Sequence, residues 1–294
     1  MKIKPKCIKC ELDGAYQQIK LSTDNERLRF KALQSVLDYL SEASSLDITP
    51  AEIGTECKRI IREVTSVSDP YSEVKKRMNK TATKLKPIAQ RYIGGKREEK
   101  KKLMRAIKVA AIGNSFDFSV SEHEVDLSTL KERFEKSLRE DIYPDDLEKV
   151  ASKILSSNTL LYILDNSGEA ILDRLLMEKI VESGSELSIA ARSAPIQDDI
   201  TIDMIKELNF SKLGNLFPAG RSTGLNPQKA PRKLQEKLEE TDFIISKGQG
   251  NFEMLSEYEE SYSGRLAYIL MTKCEPVSKT LGTKLGSIVV YFLE

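Results

Sequence analysis

The second half of the chain alternates short apolar runs with amphipathic segments, and this alternation restricts the possible folds most. Strand-like runs occupy residues 160–164, 186–191, 243–246, 266–271 and 287–293, with a weaker one near 213–217. Helical patterns lie between most of them. Strands that are apolar along their whole length and alternate with helices are typical of a mostly parallel sheet covered on both faces. The pattern predicts an α/β fold, a Rossmann-like α/β/α sandwich.

The first half has a different pattern. Residues 20–112 show apolar positions at helical spacing and no strand pattern. Thr49, Pro50 and Glu52 form a helix start signal, with a capping residue, a proline at the first helical position and an early acidic residue. We therefore expect an all-α N-terminal domain at residues 1–112, followed by an α/β domain at residues 113–294.

Charge and hydropathy exclude several classes of protein. The 46 basic and 45 acidic residues nearly cancel, which argues against nucleic acid as the main partner. No window approaches the roughly 20 apolar residues that span a bilayer. The N-terminus lacks the apolar core of a signal peptide. We expect a cytoplasmic protein with no membrane partner, and nothing in the sequence indicates an oligomeric state.

The four cysteines are Cys7, Cys10, Cys57 and Cys274. Structural disulfides are not expected in a cytoplasmic chain. The Cys7-x-x-Cys10 pair is half of a zinc motif, and a complete site would need Cys57 and Cys274 brought together from remote positions. Reduced thiols, a metal site and a redox pair all stay open. The single histidine, His123, is interpreted as a surface residue.

Polar residues follow four of the predicted strands. Because parallel strands present their carboxyl ends at one edge of a sheet, these residues are expected to meet there. They are Asp165, Asn166 and Glu169 after the first run, Asp198, Asp199 and Asp203 after the second, Lys247, Gly248 and Asn251 after the third, and Lys273 and Cys274 after the fourth.

The chemistry of this edge indicates a phosphorylated ligand. Carboxylate and amide oxygens without histidine suit hard cations such as Mg²⁺ or Mn²⁺. Lysines and a glycine turn at a helix start suit phosphate. Each residue also has a local alternative: Asp165 and Asn166 can cap a helix, and Gly248 can serve a turn. Neither a Walker A motif nor a dinucleotide fingerprint is present.

The segments DNSGE, PIQDDIT, ISKGQGNFE and TKC, in this order, resemble the damage-control phosphatases, metal-dependent enzymes that hydrolyse small phosphorylated metabolites. The N-terminal CIKC and the Lys273-Cys274 pair resemble the prokaryotic branch. The resemblance implies a divalent cation, Mn²⁺, Co²⁺, Ni²⁺ or Mg²⁺, bound by Asp165, Asn166 and Asp199. The family usually has Asn-Asp where this chain has Asp198-Asp199.

The resemblance also implies which other residues contact the substrate. They are Glu169, Lys247, Gly248, Asn251 and Lys273 from the α/β half, and Asn114 and Asp117 from the loop after the helical half.

A mechanism follows as a hypothesis. The cation would polarise a phosphoryl oxygen, Lys247 and Lys273 would neutralise its charge, and Glu169 would orient a water molecule. Direct attack by Asp165 stays open. The alternatives are a non-catalytic phosphometabolite or nucleotide binder on the same fold and, less favoured because a glycine-rich loop is missing, a methyltransferase.

Overall fold

The computed structural model describes residues 1–43, 47–116 and 127–294. The α-helices of these ranges are α1 Pro5–Ser22, α2 Glu26–Ala43, α3 Pro50–Thr65, α4 Ser72–Gly94, α5 Glu99–Ser115, α6 Leu127–Ser137, α7 Leu147–Ser156, α8 Glu169–Glu182, α9 Ile202–Glu207, α10 Arg232–Glu240, α11 Gln249–Leu255 and α12 Glu275–Thr280. The strands are β1 Ile142–Asp145, β2 Thr159–Ile163, β3 Glu186–Ala191, β4 Asn215–Pro218, β5 Phe243–Lys247, β6 Leu266–Met271 and β7 Ile288–Leu293. None of the described helices is long and apolar enough to span a membrane.

The strands form one sheet in the order β1-β7-β6-β5-β2-β3-β4. Neighbours are parallel except β6 and β7, which are antiparallel. The predicted α/β fold with a mostly parallel sheet is confirmed. Strand β1 was not predicted, because it is a four-residue edge segment that contains Pro144 and carries no alternating or continuous apolar pattern.

Helices cover both faces of the sheet, as continuously apolar strands require. In β2, Leu160 and Tyr162 belong to the core on the side of α4, α5 and α8, whereas Leu161 and Ile163 belong to the core on the side of α10 and α11. This alternation decides which face each later residue of a strand reaches. Lys247, in register with Phe243 and Ile245, therefore reaches the face covered by α5 and α8.

The helical half contributes to two cores. Helices α1, α2 and α3 enclose a cluster of their own, which includes Ile19, Val36 and Ile53. Helices α4 and α5 instead share the large core of the sheet, and residue 112 lies inside α5. The division into domains at residue 112 stays a prediction.

The topology fixes where a ligand can bind. From β2 the chain moves outward through β3 to β4, and then crosses back to β5 on the other side of β2. The carboxyl ends of β2 and β5 thus flank the switch point, the usual ligand crevice of an open α/β sheet. The last turn of α5 reaches this place, where a Cβ on Gly113 would stand 3.5 Å from Cβ of Glu169 at the start of α8.

Candidate active site

A cavity of about 420 Å³ opens at the carboxyl edge of the sheet. Its lining combines carboxylates, amides and a lysine with apolar side chains from α4 and with Phe116, the residue after α5, so it suits a small polar ligand. The lining residues are Tyr71, Val74, Met78, Gly113, Asn114, Ser115, Phe116, Asn166, Ser167, Glu169, Gln197, Asp198, Met271 and Lys273.

Backbone pairing joins the loops after β2 and β3. Asn166 and Asp199 form an antiparallel bridge. The Ser167 amide donates to the Asp198 carbonyl at 2.8 Å, and the Ile200 amide donates to the Asp165 carbonyl at 2.9 Å. The two segments that carry the predicted cation ligands are thereby held side by side by main-chain hydrogen bonds.

Asp165 concentrates negative charge at the centre of the site. Its Oδ2 accepts hydrogen bonds from Nδ2 of Asn166 at 2.8 Å and from Nδ2 of Asn114 at 3.3 Å. Burial, together with the nearby charges of Glu169 and Asp199, raises the pKa of Asp165 well above its ordinary value. Such a carboxylate would be stabilised by a cation bound beside it.

Asn114 connects three elements at one point. Its Nδ2 also donates to Oε2 of Glu169 at 2.7 Å, and its Oδ1 accepts from the Met271 amide at 2.9 Å. The side chain is buried. The last turn of α5 is therefore tied to the start of α8 and to the end of β6, and Asn114 fixes the orientation of Glu169.

Lys247 lies behind the cavity rather than in its lining. Its side chain is 0% exposed, and Nζ donates to the Ala110 carbonyl at 2.8 Å, to Oδ1 of Asp173 at 2.8 Å and to Oε1 of Glu169 at 3.2 Å. Burial opposes the charge, but Asp173 and Glu169 outweigh it and raise the pKa of Lys247. The substrate contact expected of Lys247 stays a prediction. Lys273 is the lysine that lines the cavity.

Asp199 is paired with a buried arginine. Nε of Arg192 donates to Oδ2 of Asp199 at 2.6 Å, and Nη2 donates to Oδ1 of Asn251 at 2.9 Å. Nδ2 of Asn251 donates to the carbonyls of Leu164 at 3.1 Å and Lys247 at 2.7 Å. Asn251 thus joins the ends of β2 and β5, and it does not line the cavity.

Gly248 allows the closest approach in the site. Its φ is +79°, and a Cβ at this position would lie 1.7 Å from Oδ2 of Asp165. Only glycine combines this backbone conformation with that contact. The expected substrate contact of Gly248 stays a prediction, whereas its contact with Asp165 is a property of the fold.

The structure brings most of the predicted residues to one edge in two layers. Asn114, Asn166, Glu169 and Lys273 line the cavity, and Asp165, Asp199, Lys247, Gly248 and Asn251 stand behind it. Asp117 lies outside the described residues. Asp203 is exposed on α9 and pairs with Lys206.

Two residues beyond the predicted ones belong to the site, Arg192 and Asp173. Arg192 directly follows β3 and could have been found by the same strand-end rule. Asp173, one turn after Glu169, is a carboxylate on an otherwise apolar helix face. A charged residue at such a position is buried only when it is paired, so this pattern could have identified Asp173 from the sequence. Asp198 lines the cavity, and burial together with Asp199 raises its pKa.

Asp165, Asn166 and Asp199 have the donor chemistry for a hard divalent cation. Nδ2 of Asn166 donates to Asp165, which leaves the amide oxygen for a cation, and Arg192 engages only Oδ2 of Asp199. No group of three or more His, Cys, Asp or Glu side chains in the described ranges is arranged as a metal site. A site of two carboxylates and one amide has fewer than three such side chains. Water and substrate oxygens complete the coordination of hard divalent cations at sites of this kind.

The model of the damage-control phosphatase ARMT1-like domain matches residues 3–289. The chain belongs to this damage-control phosphatase family. A damage-control phosphatase of Archaeoglobus fulgidus is 32% identical over the full length of both chains. The damage-control phosphatase PH1575 of Pyrococcus horikoshii is also 32% identical, over 98% of this chain and 97% of its own.

The fold of the family is shared as well. The crystal structure of PH1575, described as a DUF89 family protein, superposes with a TM-score of 0.91 over 100% of both chains at 30% identity. The predicted resemblance to the damage-control phosphatases is therefore confirmed. It extends beyond the segments DNSGE, PIQDDIT, KGQGNFE and TKC and includes the helical half.

Gly248→Ala tests the contact with Asp165. The new Cβ collides with the carboxylate, so we expect the free energy of unfolding to fall by about 1–3 kcal/mol more than in a matched control. The control is Gly264→Ala, which has a similar φ of +73° but open space around the added Cβ. Urea denaturation measures both, and equal losses would contradict the contact.

Asp173→Asn tests the buried charges around Lys247. Burial raises the pKa of Asp173 from 3.8 to about 7, so between these pH values the folded protein binds one more proton than the unfolded chain. This contribution to stability is complete below pH 3.8 and is lost as the pH rises toward 7, by at most about 1.4 kcal/mol per pH unit.

We expect Asp173→Asn to remove the part of this fall that Asp173 causes, so the free energy of unfolding should decline less steeply from pH 4 to pH 8 than in the wild type. The exposed Asp203→Asn is the control and should keep the pH profile of the wild type. Parallel profiles for the wild type and Asp173→Asn would contradict the buried, proton-binding carboxyl.

Proposed function

We propose that this protein is a divalent-metal-dependent phosphatase that hydrolyses phosphoric monoesters of small metabolites. Relatives named damage-control phosphatases support phosphatase activity. The observation that carries the metal-dependent part is the backbone-paired juxtaposition of Asp165, Asn166 and Asp199 beside a polar cavity. Buried carboxylates gathered without enough cationic partners are what a cation site requires before it is filled.

The three ligands would hold the cation at the inner end of the cavity. When bound, the cation supplies a Lewis acid that polarises a phosphoryl oxygen and activates water. Asn166 contributes twice, because its amide nitrogen orients Asp165 while its oxygen is left for the cation. Arg192 fixes the rotamer of Asp199 from behind.

Lys273 would neutralise the phosphoryl oxygens. It is exposed at the cavity wall, and its charge acts on Asp165 and Asp198 by lowering their pKa values, although it does not overcome the raising effects. A cation at this position stabilises the charge that spreads over the equatorial oxygens during phosphoryl transfer. We propose this role for Lys273, and for Lys247 the role of positioning Glu169.

Glu169 would orient the attacking water. One carboxylate oxygen is held by Lys247, and the other accepts from Asn114 at 2.7 Å and from Asn166 at 3.3 Å. A carboxylate whose two oxygens are fixed in this way keeps one orientation at the cavity wall. It can therefore accept a proton from a water or from a substrate hydroxyl without first reorganising.

The size of the cavity supports a small substrate. About 420 Å³ accommodates one phosphorylated metabolite of the sugar-phosphate class, and Phe116, Tyr71 and Met271 offer apolar walls for its organic part.

Asp165→Asn and Asp199→Asn test the proposal. Each removes one carboxylate from the cation site, so we expect phosphate release from p-nitrophenyl phosphate and from a panel of sugar phosphates to fall by a factor of at least about 10² with Mn²⁺, Co²⁺, Ni²⁺ or Mg²⁺. Asp203→Asn, an exposed aspartate near the site, is the control and should keep wild-type turnover.

Two outcomes would contradict the proposal. Near-wild-type turnover in both variants would remove these ligands from the mechanism. Failure of the wild type to release phosphate with every cation and substrate, together with measurable binding of the same phosphometabolites, would favour the non-catalytic binder.

A further inference from the structure

A second cavity, of about 290 Å³, lies beside the candidate active site. Three of the four cysteines, Cys7, Cys10 and Cys274, line it together with Glu253. Lys273 lines both cavities and therefore forms part of the wall between them. The CxxC and Lys-Cys segments, which the phosphatase chemistry leaves without a role, thus meet in one place.

The fold brings three of the four thiols to this cavity and leaves the fourth, Cys57, outside its lining. Cys7 and Cys10 are three residues apart on α1 and share one helix face. Cys274 immediately precedes α12, at the end of β6, and comes from the opposite end of the sequence. Cys57 belongs, like Cys7, to the core of α1, α2 and α3, but it does not line this cavity.

Glu253 adds a buried oxygen donor. Its Oε1 accepts a hydrogen bond from Nε2 of Gln249 at 3.0 Å, and no salt bridge reaches it from the part of the chain that the structure describes. A buried carboxylate without a cationic partner is costly, and a bound cation removes that cost.

We propose that Cys7, Cys10, Cys274 and Glu253 form a binding site for a thiophilic divalent cation of the Zn²⁺ class. Three sulfurs and one carboxylate oxygen match the tetrahedral coordination that such cations take in structural sites. The described side chains do not yet surround one point at ligand distance, so the cation would draw them together as it binds.

A redox switch fits the same residues less well. One disulfide would use two of the three thiols and leave Glu253 without a partner. Cation binding uses all four groups.

The site would position Lys273. Oε1 of Gln249 accepts from the Lys273 amide at 3.1 Å, while Nε2 of Gln249 donates to Glu253. Cys274, a ligand, is also covalently adjacent to Lys273. A cation that fixes Cys274 and Glu253 would therefore hold the lysine backbone at the wall of the active-site cavity. The site itself does not depend on the proposed phosphatase activity, and this last role does.

Cobalt titration of the full-length, reduced protein tests the site. Tetrahedral Co²⁺ bound to thiolates has visible d–d bands and a sulfur-to-metal charge-transfer band. We expect these bands to saturate at one Co²⁺ per chain and to disappear when Zn²⁺ is added. Asp165→Asn should keep them, because it changes only the proposed active-site cation.

Cys10→Ser is the decisive variant, since Cys10 is exposed and its replacement is compatible with folding. We expect the apparent Co²⁺ affinity to fall at least about tenfold and the charge-transfer band to weaken. The control Cys57→Ala removes the thiol outside the cavity and should leave the titration unchanged. In parallel, Zn²⁺ should protect Cys7, Cys10 and Cys274 from alkylation in the wild-type protein.

Two results would overturn the proposal. One is a cobalt-loaded wild type without a thiolate band and with alkylation rates that Zn²⁺ does not change. The other is a stable disulfide among the three cysteines, seen by mass spectrometry of protein purified without reductant, together with no zinc bound to the reduced form.

Discussion

The ammonium group of Lys247 stands between the carboxylates of Glu169 and Asp173, with no exposure to solvent. Removing the ammonium group would cost roughly 3–5 kcal/mol, because two buried carboxylates would be left without their cation. Nζ of Lys247 donates its third hydrogen bond to the carbonyl of Ala110, so β5, α8 and α5 meet at one nitrogen atom. The orientation of Glu169, and through Asn114 that of Asp165, depends on this arrangement.

The rest of the site extends from that point by short, directional contacts. Asn251 joins the carbonyls at the ends of β2 and β5, and Arg192 connects Asn251 to Asp199. Gly248 gives Asp165 the space that any side chain would fill. The residues that face the cavity thus form one layer, and a second layer of buried, hydrogen-bonded groups behind it restricts their movement. Such restriction is what preorganised catalysis needs.

The two proposed cation sites differ in chemistry although Lys273 separates them by a single wall. Oxygen donors from the loops after β2 and β3 suit a hard, exchangeable cation, whereas thiols from α1 and from the residue before α12 suit a thiophilic one. Because α1 begins at residue 5 and α12 at residue 275, the second site would join two elements that are far apart in the sequence.

The sequence by itself determined the fold class, the strands of the sheet interior and the edge where the polar residues gather. These follow from local signals: apolar runs, helical spacing and the residues that come directly after a strand. It also carried the four family segments. Strand β1 and helix α12 were not predicted from the sequence, because both are short and β1 gains its stability from pairing with β7.

Only the tertiary structure decided which residues face the cavity and which support them. Lys247 and Lys273 are both lysines at strand ends, yet one is enclosed by α5 and α8 and the other is exposed. The packing of helices over each strand end makes that difference, and no local pattern records it. Cys274 likewise lines one cavity with Cys7 and Cys10 only because the fold places the start of α12 beside α1, where Lys6 also contacts Glu275.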